Sequence, residues 1–307
     1  MYRVYRIAIL LTIFTGFLSC ESKKAEEKQS VSVDVLPYPN KVLKRRGSIT
    51  LSNNFWVIAN VSDSLSSDLA SYLVKNLSLI TGQDAHITDL YSTRKHKQSI
   101  KIELDNNMLS SKDEAYTLDL TSPHIKIKGE SAIGIYYGMQ TLLQLLNSGK
   151  SGSTYLLPKI LIKDSPSYLV RGILMQQSQL NSLDVPGLFD MLGGLKINSV
   201  YIIGDENPDV EVDEKANENY LKLYHGKDIP KNITIVSFGS SNKELEDYYM
   251  TENIGGDSDG IVLDLTSTEK KEFSTKLAIL AELAWSESNN RDHLRINRLT
   301  KEHLTTK

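Results

Sequence analysis

The side chains able to do chemistry in this 307-residue chain are few. Arg171 stands inside an apolar run, Tyr168-Leu169-Val170-Arg171-Gly172-Ile173-Leu174-Met175. Burying a guanidinium there is costly unless an anion or a set of hydroxyls receives it. It is therefore either half of an internal salt bridge or a ligand at a strand end that faces a pocket. Asp205 and Glu206 follow a second apolar run, Ser199 to Ile203. Neighbouring carboxyls can move protons when a substrate is within reach, although acidic residues are also what turns select. Asp257 lies in Asn253-Ile254-Gly255-Gly256-Asp257-Ser258, which reads equally well as a Gly/Asp loop and lacks the spacing of a calcium loop. His86, His96 and His124 sit in separate polar segments and read as surface residues. No metal site and no cofactor is expected.

Composition narrows the function classes. The net charge is −3, with 40% hydrophobic and 24% charged residues, which is ordinary for a globular chain and gives no case for nucleic acid. Runs such as Lys44-Arg45-Arg46 read as solvated surface. Cys20 is the single cysteine, so no intrachain disulfide can form. It follows Arg3, Arg6 and an apolar run from Ile7 to Leu18, a basic start and a hydrophobic stretch too short for a stable bilayer span. Residues 1–20 resemble a bacterial lipoprotein signal peptide, which implies lipidation at Cys20 and a place in the cell envelope, held to the membrane by the lipid alone. The plain alternative is a cleaved secretory signal with an incidental cysteine. Residues 21–30, ESKKAEEKQS, are charged and read as a flexible tether.

The elements that would position the candidates fall into two regions. Residues 31–163 are expected to form an α+β domain, a mostly antiparallel sheet with helices on one face. Asn54–Ala59 reads as a strand. Leu65, Leu69, Tyr72, Leu73, Leu77 and Ile80 recur at helical spacing before Thr81-Gly82. Ile100, Ile102 and Leu104 alternate. Tyr116–Leu120 and Ile125–Gly129 read as a hairpin with one wet face. Residues 131–146 form an apolar helix whose Gly134 and Gly138 predict close packing on the sheet. Beyond Asp164-Ser165-Pro166, strands are expected near 169–175, 199–203, 233–238 and 260–265.

The order LPYPN (36–40), a strand, a helix, the EAYTLDL…IKIKG hairpin and a helix ending in QTLLQLL resembles the amino-terminal accessory domain of glycoside hydrolase family 20, the β-N-acetylhexosaminidases. Asp164, Pro166, Arg171, Gly172 and Ser178 resemble that family's first barrel strand, but Gln176, Gln179 and Leu180 stand where it has Asp, Arg and His. Lys196-Ile197-Asn198 matches a second landmark, while Tyr201-Ile202-Ile203 replaces His-Trp-His. Ala281-Glu282-Leu283-Ala284-Trp285 resembles its closing element and otherwise reads as core packing.

The resemblance implies a (β/α)8 barrel and a retaining, substrate-assisted hydrolysis of terminal N-acetylhexosamine. In this reading Glu206 would be the acid, Asp205 the residue steering the 2-acetamido group, and Arg171 the ligand of sugar hydroxyls. Asp257 keeps part of the family's Gly-Gly-Asp-Glu pattern, with Ser258 in place of the acid. From Ser167 to Lys307 there are 141 residues, against about 250 for such a barrel. Residues 164–307 are therefore expected to be an incomplete, partial TIM-barrel-like α/β region. Sugar pockets are lined by aromatic platforms, yet no tryptophan lies between Trp56 and Trp285. The expectation is a catalytically impaired or inactive relative, with an active hydrolase of shortened barrel and a non-enzymatic glycan-binding or scaffold lipoprotein as the alternatives.

Overall fold

The computed structural model describes residues 31–92, 95–105, 113–204, 210–226, 229–237 and 258–299. The described residues all belong to one compact unit.

The first sheet takes its strands from β1 (Lys41–Ser52), β2 (Trp56–Ala59), β3 (His86–Asp89), β4 (Ser99–Leu104), β5 (Tyr116–Asp119), β6 (His124–Gly129), β7 (Lys150–Ser151) and β8 (Thr154–Asp164). Their order is β1-β8-β5-β6-β4-β2-β3, with β7 on β8. Helices α1 (Ser64–Thr81) and α2 (Ala132–Ser148) cover one face. The α1 start is fixed by Asp63, whose carboxylate accepts from the Ser66 N–H, and its end by Gly82 at φ 68°. Alternation in β4, β5 and β6 sends Ile100, Ile102, Tyr116, Leu118, Ile125 and Ile127 into the core beneath these helices.

The expectation of a mostly antiparallel sheet is corrected here, because the sheet is mixed. β2 runs parallel to β3 and to β4, and β4 runs parallel to β6. α1 carries the chain from the end of β2 back to the level where β3 starts, and a helical crossover of this kind yields parallel neighbours. The β5–β6 hairpin and the β1–β8 and β5–β8 pairs are antiparallel. The glycines of α2 do pack closely: a Cβ on Gly134 would lie 2.4 Å from the Ala115 carbonyl oxygen, and one on Gly138 would lie 2.7 Å from Ile127 Cγ2.

The second sheet is parallel throughout its described strands, β9 (Val170–Gln176), β10 (Ser199–Ile203), β11 (Lys222–His225), β12 (Ile233–Val236) and β13 (Gly260–Asp264). Its order is β11-β10-β9-β13-β12, so the first strand in sequence lies at the centre. Among the described residues, β11 and β12 are its open edges. Helices α3 (Gln177–Leu180), α4 (Val185–Gly194), α5 (Val210–Glu218), α6 (Phe273–Trp285) and α7 (His293–Leu299) follow the strands. Ile173, Met175, Val200, Ile202, Ile261 and Leu263 pack on one face with Phe189 and Leu192 of α4 and Leu277 and Leu280 of α6. Leu174, Tyr201 and Val262 form a separate small cluster, with Val170, Ile203, Ile229 and Ile233 packed against it. Sheets buried on both faces read as continuous apolar runs, which is why these strands were visible in sequence.

Candidate functional site

Arg171 is the second residue of β9 and pairs with Ile261, so it stands at the amino-terminal end of the second sheet. It is 1% exposed. Its Nε donates to the Lys196 carbonyl at 2.8 Å, Nη1 to the Tyr168 and Leu169 carbonyls at 2.8 and 3.2 Å, and Nη2 to the Tyr137 hydroxyl at 3.2 Å. Nη1 also forms an ion pair with Glu114 Oε2 at 2.7 Å. Burial alone would lower the basicity of this guanidinium; Glu114 and Tyr137 outweigh it and hold the group above its ordinary value. A buried cation is tolerated here because each of its nitrogens meets an oxygen.

A second buried ion pair adjoins the first. Lys196 Nζ lies 3.1 Å from Asp164 Oδ2, and both side chains are fully enclosed. Tyr116 donates its hydroxyl to the same Asp164 oxygen at 2.6 Å, and Trp285 donates its indole N–H at 2.9 Å. The other Asp164 oxygen accepts from the backbone N–H groups of Asn40 and Ser165. Trp285 brings the pairs together: Lys196 Nζ is 4.3 Å and Arg171 Cζ 5.0 Å from its ring centroid, within cation–π range. Burial pulls Lys196 below its usual lysine value, with Asp164 acting against it. Lys196 also adopts φ 59° at the end of α4, where Ile197 N–H donates to the Leu192 carbonyl and Lys196 N–H to the Gly193 carbonyl. That closing motif favours glycine; a lysine occupies it because its ammonium reaches Asp164.

One helical turn before Trp285, Glu282 is fully buried and accepts from the Tyr38 N–H at 3.0 Å and from Arg295 Nη2 at 2.9 Å. Its carboxyl is pushed up by burial, which Arg295 partly offsets. The AELAW segment therefore places one acid and one indole on the side of α6 that faces the first sheet. The carboxylates of Glu114 and Asp164, the Lys196 ammonium and the rings of Tyr116, Tyr137 and Trp285 are thus gathered about Arg171, but as sealed interior. A sugar hydroxyl would reach this guanidinium only by displacing Glu114 or a backbone carbonyl.

The opposite pole of the second sheet is where α/β folds place ligands, at the carboxyl ends of the strands. Gln176 ends β9 in register with Ile203, and Gly204 follows β10. Asp205, Glu206 and Asp257 lie outside the described residues, as does Cys20. Gln176 is five residue steps beyond Arg171, so the two poles are about 17 Å apart at 3.3 Å per residue. Gln179, the replacement for Arg in the resemblance, ties backbone together beside Gln176, the replacement for Asp. Gln176 N–H donates to Gln179 Oε1 at 2.9 Å, and Gln179 Nε2 donates to the Leu265 carbonyl at 3.0 Å. Leu180, the replacement for His, is buried. Asp264 Oδ1 accepts from the Thr266 N–H and hydroxyl. Tyr201 and Tyr224 stack at 4.7 Å near this pole. No cluster of potential metal ligands occurs among the described residues.

Sequence reasoning missed Glu114, Tyr137 and Glu282, whose partners lie far away in the chain. The one signal available for them was the apolar context of Arg171, which demanded an anion from elsewhere.

Comparison with known proteins bears on ancestry. The family "Glycosyl hydrolase family 20, domain 2" matches residues 32–165. A β-hexosaminidase from Vibrio vulnificus is 23% identical over 232 residues, which is 73% of this chain and 25% of that protein. A β-hexosaminidase from Porphyromonas gingivalis is 36% identical over 97 residues, 29% of this chain and 12% of that protein. The chain therefore spans a minor part of the length of these relatives. Among solved structures, an inactive mutant of a Vibrio harveyi family 20 exo-β-N-acetylglucosaminidase superposes with a TM-score of 0.63 at 13% identity, covering 90% of this chain and 77% of that one. Streptomyces plicatus N-acetyl-β-hexosaminidase superposes with 0.53 at 17% identity, over 65% of this chain and 47% of that one. At these identities the superpositions speak for the fold alone. Residues 32–165 thus match the second domain of glycoside hydrolase family 20, and the described fold is shared with solved members of that family.

Proposed function

We propose that the protein is a lipid-anchored family 20 relative of the cell envelope that meets glycans bearing terminal N-acetylhexosamine and hydrolyses them poorly or not at all. The observation that carries this reading is the engagement of the Gln179 side chain between the Gln176 N–H and the Leu265 carbonyl at the strand ends. An amide cannot exchange a proton near neutral pH, and the Oε1 and Nε2 of Gln179 already hold backbone partners. Arg171 supports it from the other pole, since its hydrogen-bonding nitrogens are occupied by protein groups. The glycan partner comes from the relatives: the Vibrio harveyi enzyme was crystallised in complex with N-acetylglucosamine.

The alternative is an active retaining hydrolase with Glu206 as acid and Asp205 orienting the acetamide. It is favoured by the sequence position of this pair, two residues after the last residue of β10. Incubation of the full chain with an aryl N-acetylglucosaminide separates the two. The expected release of aryl alcohol equals that of the Glu206→Gln variant; release that this variant abolishes would establish the alternative. A non-catalytic binder should give saturable titration with N-acetylglucosamine, and a flat titration removes the glycan from the reading.

A further inference from the structure

The face of the first sheet turned away from α1 and α2 is covered by no described element. Register fixes what stands on it. One row across the strands reads Lys41, Lys163, Thr117, Lys128, Glu103, and the next reads Leu43, Leu161, Asp119, Lys126, Lys101. Lys159 alternates with the inward Ile160 and adds a sixth lysine to this side. Lys44, Arg45 and Arg46 lie exposed in the irregular stretch of β1 beside it. The acids of the two rows are Glu103 and Asp119, so a strongly basic surface sits on a chain whose net charge is −3.

Lys101 and Lys128 share Glu103, and Lys128 also pairs with Asp105. Lys41, Lys126, Lys159 and Lys163 form no ion pair among the described residues, and Asp119 turns its Oδ1 to Thr121. Lys41 stands directly opposite Lys163, and Lys101 directly opposite Lys126. Like charges directly opposed in a sheet are destabilising; Glu103 offsets the second pair in part through Lys101, and no described ion pair offsets Lys41 and Lys163. A surface that accepts this cost is built for anions from outside.

We propose that this face docks a linear acidic polysaccharide, one carrying carboxylate or sulfate groups along its length. The ammonium groups run in rows across adjacent strands, about 4.8 Å apart per strand, which suits charges strung along a chain. Shape decides against a bilayer. Strands twist by roughly 20–25° each, so from β1 to β4 the rows turn by about 80–100°. A flexible polymer follows such a turn and a planar membrane does not. The proposal does not depend on whether the strand ends of the second sheet hydrolyse or bind N-acetylhexosamine.

The test uses the full chain in non-ionic detergent, titrated with heparin, polygalacturonate and neutral chitopentaose across a salt series, and separately with phosphatidylglycerol vesicles without detergent. The two acidic polymers should bind, weakening as salt rises. The Lys41→Gln/Lys163→Gln double variant should lose at least tenfold in affinity for them and show a shallower salt dependence. Lys271→Gln, at an exposed lysine paired with Glu269, should change neither. The double variant removes a like-charge pair, so its melting temperature should equal or exceed that of the parent, which separates lost binding from lost folding. Unchanged affinity in the double variant, absence of binding to either polymer, or a deficit confined to the vesicles would each overturn the proposal. Chitopentaose binding that survives the double substitution belongs to the other pole and leaves the proposal standing.

Discussion

Lys196 shows how one residue can be required by its partner rather than by its place in the backbone. Its positive φ costs an L-residue about 1–2 kcal/mol relative to a right-handed conformation. Its ammonium neutralises Asp164 in an enclosure shared with Trp285 and Tyr116. Removing one member of a buried ion pair leaves the other charge uncompensated, at a cost of about 3–5 kcal/mol. Lys196→Met is therefore expected to lower unfolding free energy by that amount in a urea titration. A loss under 1 kcal/mol would show that the pair contributes little to holding the two sheets together. Arg171 follows the same logic. Its sequence context gave an internal salt bridge and a pocket ligand equal standing, and Glu114 at 2.7 Å with the surrounding carbonyls gives it the salt bridge.

At the scale of elements, helix α2 fits against the first sheet through its glycines. Gly→Ala in a helix interior gains about 1 kcal/mol in propensity, whereas overpacking costs about 1–3 kcal/mol. At Gly134 the obstructing atom is the Ala115 backbone carbonyl oxygen, 2.4 Å from the added methyl, and it cannot rotate away. At Gly138 the obstruction is a side-chain methyl of Ile127. Gly134→Ala should therefore lower the melting temperature more than Gly138→Ala. The reverse order would place the tight contact at Ile127 instead. Element types were legible wherever a periodicity was long: α1, α2, the β5–β6 hairpin and the four apolar strands of the second sheet. β1, β8 and β11 were not, because Lys41–Ser52 and Lys222–His225 are largely exposed edge strands and Thr154–Asp164 breaks its alternation around Pro158. Strand direction was misjudged because alternation reports which face is wet and carries no information on the neighbour's polarity.

Across the whole molecule, charge is divided unevenly, with lysine rows on the first sheet and a net negative total. Anchoring belongs to the same scale. If Cys20 carries lipid, Cys20→Ser should move the protein from the membrane fraction to the soluble one and remove the acyl mass from its amino-terminal peptide. Retention of both would place the anchor elsewhere. No described helix is long and apolar enough to cross a membrane.

The sequence by itself determined that two layered regions follow an amino-terminal stretch of different character, that Arg171 needs a partner, and that Gln176, Gln179 and Leu180 stand where the resembling family has Asp, Arg and His. These are local facts of residue type and period. Only the tertiary structure decided which partner Arg171 takes. Glu114, Tyr137, Lys196 and Trp285 come from segments tens of residues away, and loop closure, not composition, brings them together. It also decided that the densest cluster of charges and rings in the protein is sealed between two sheets, about 17 Å from the strand ends where chemistry would occur.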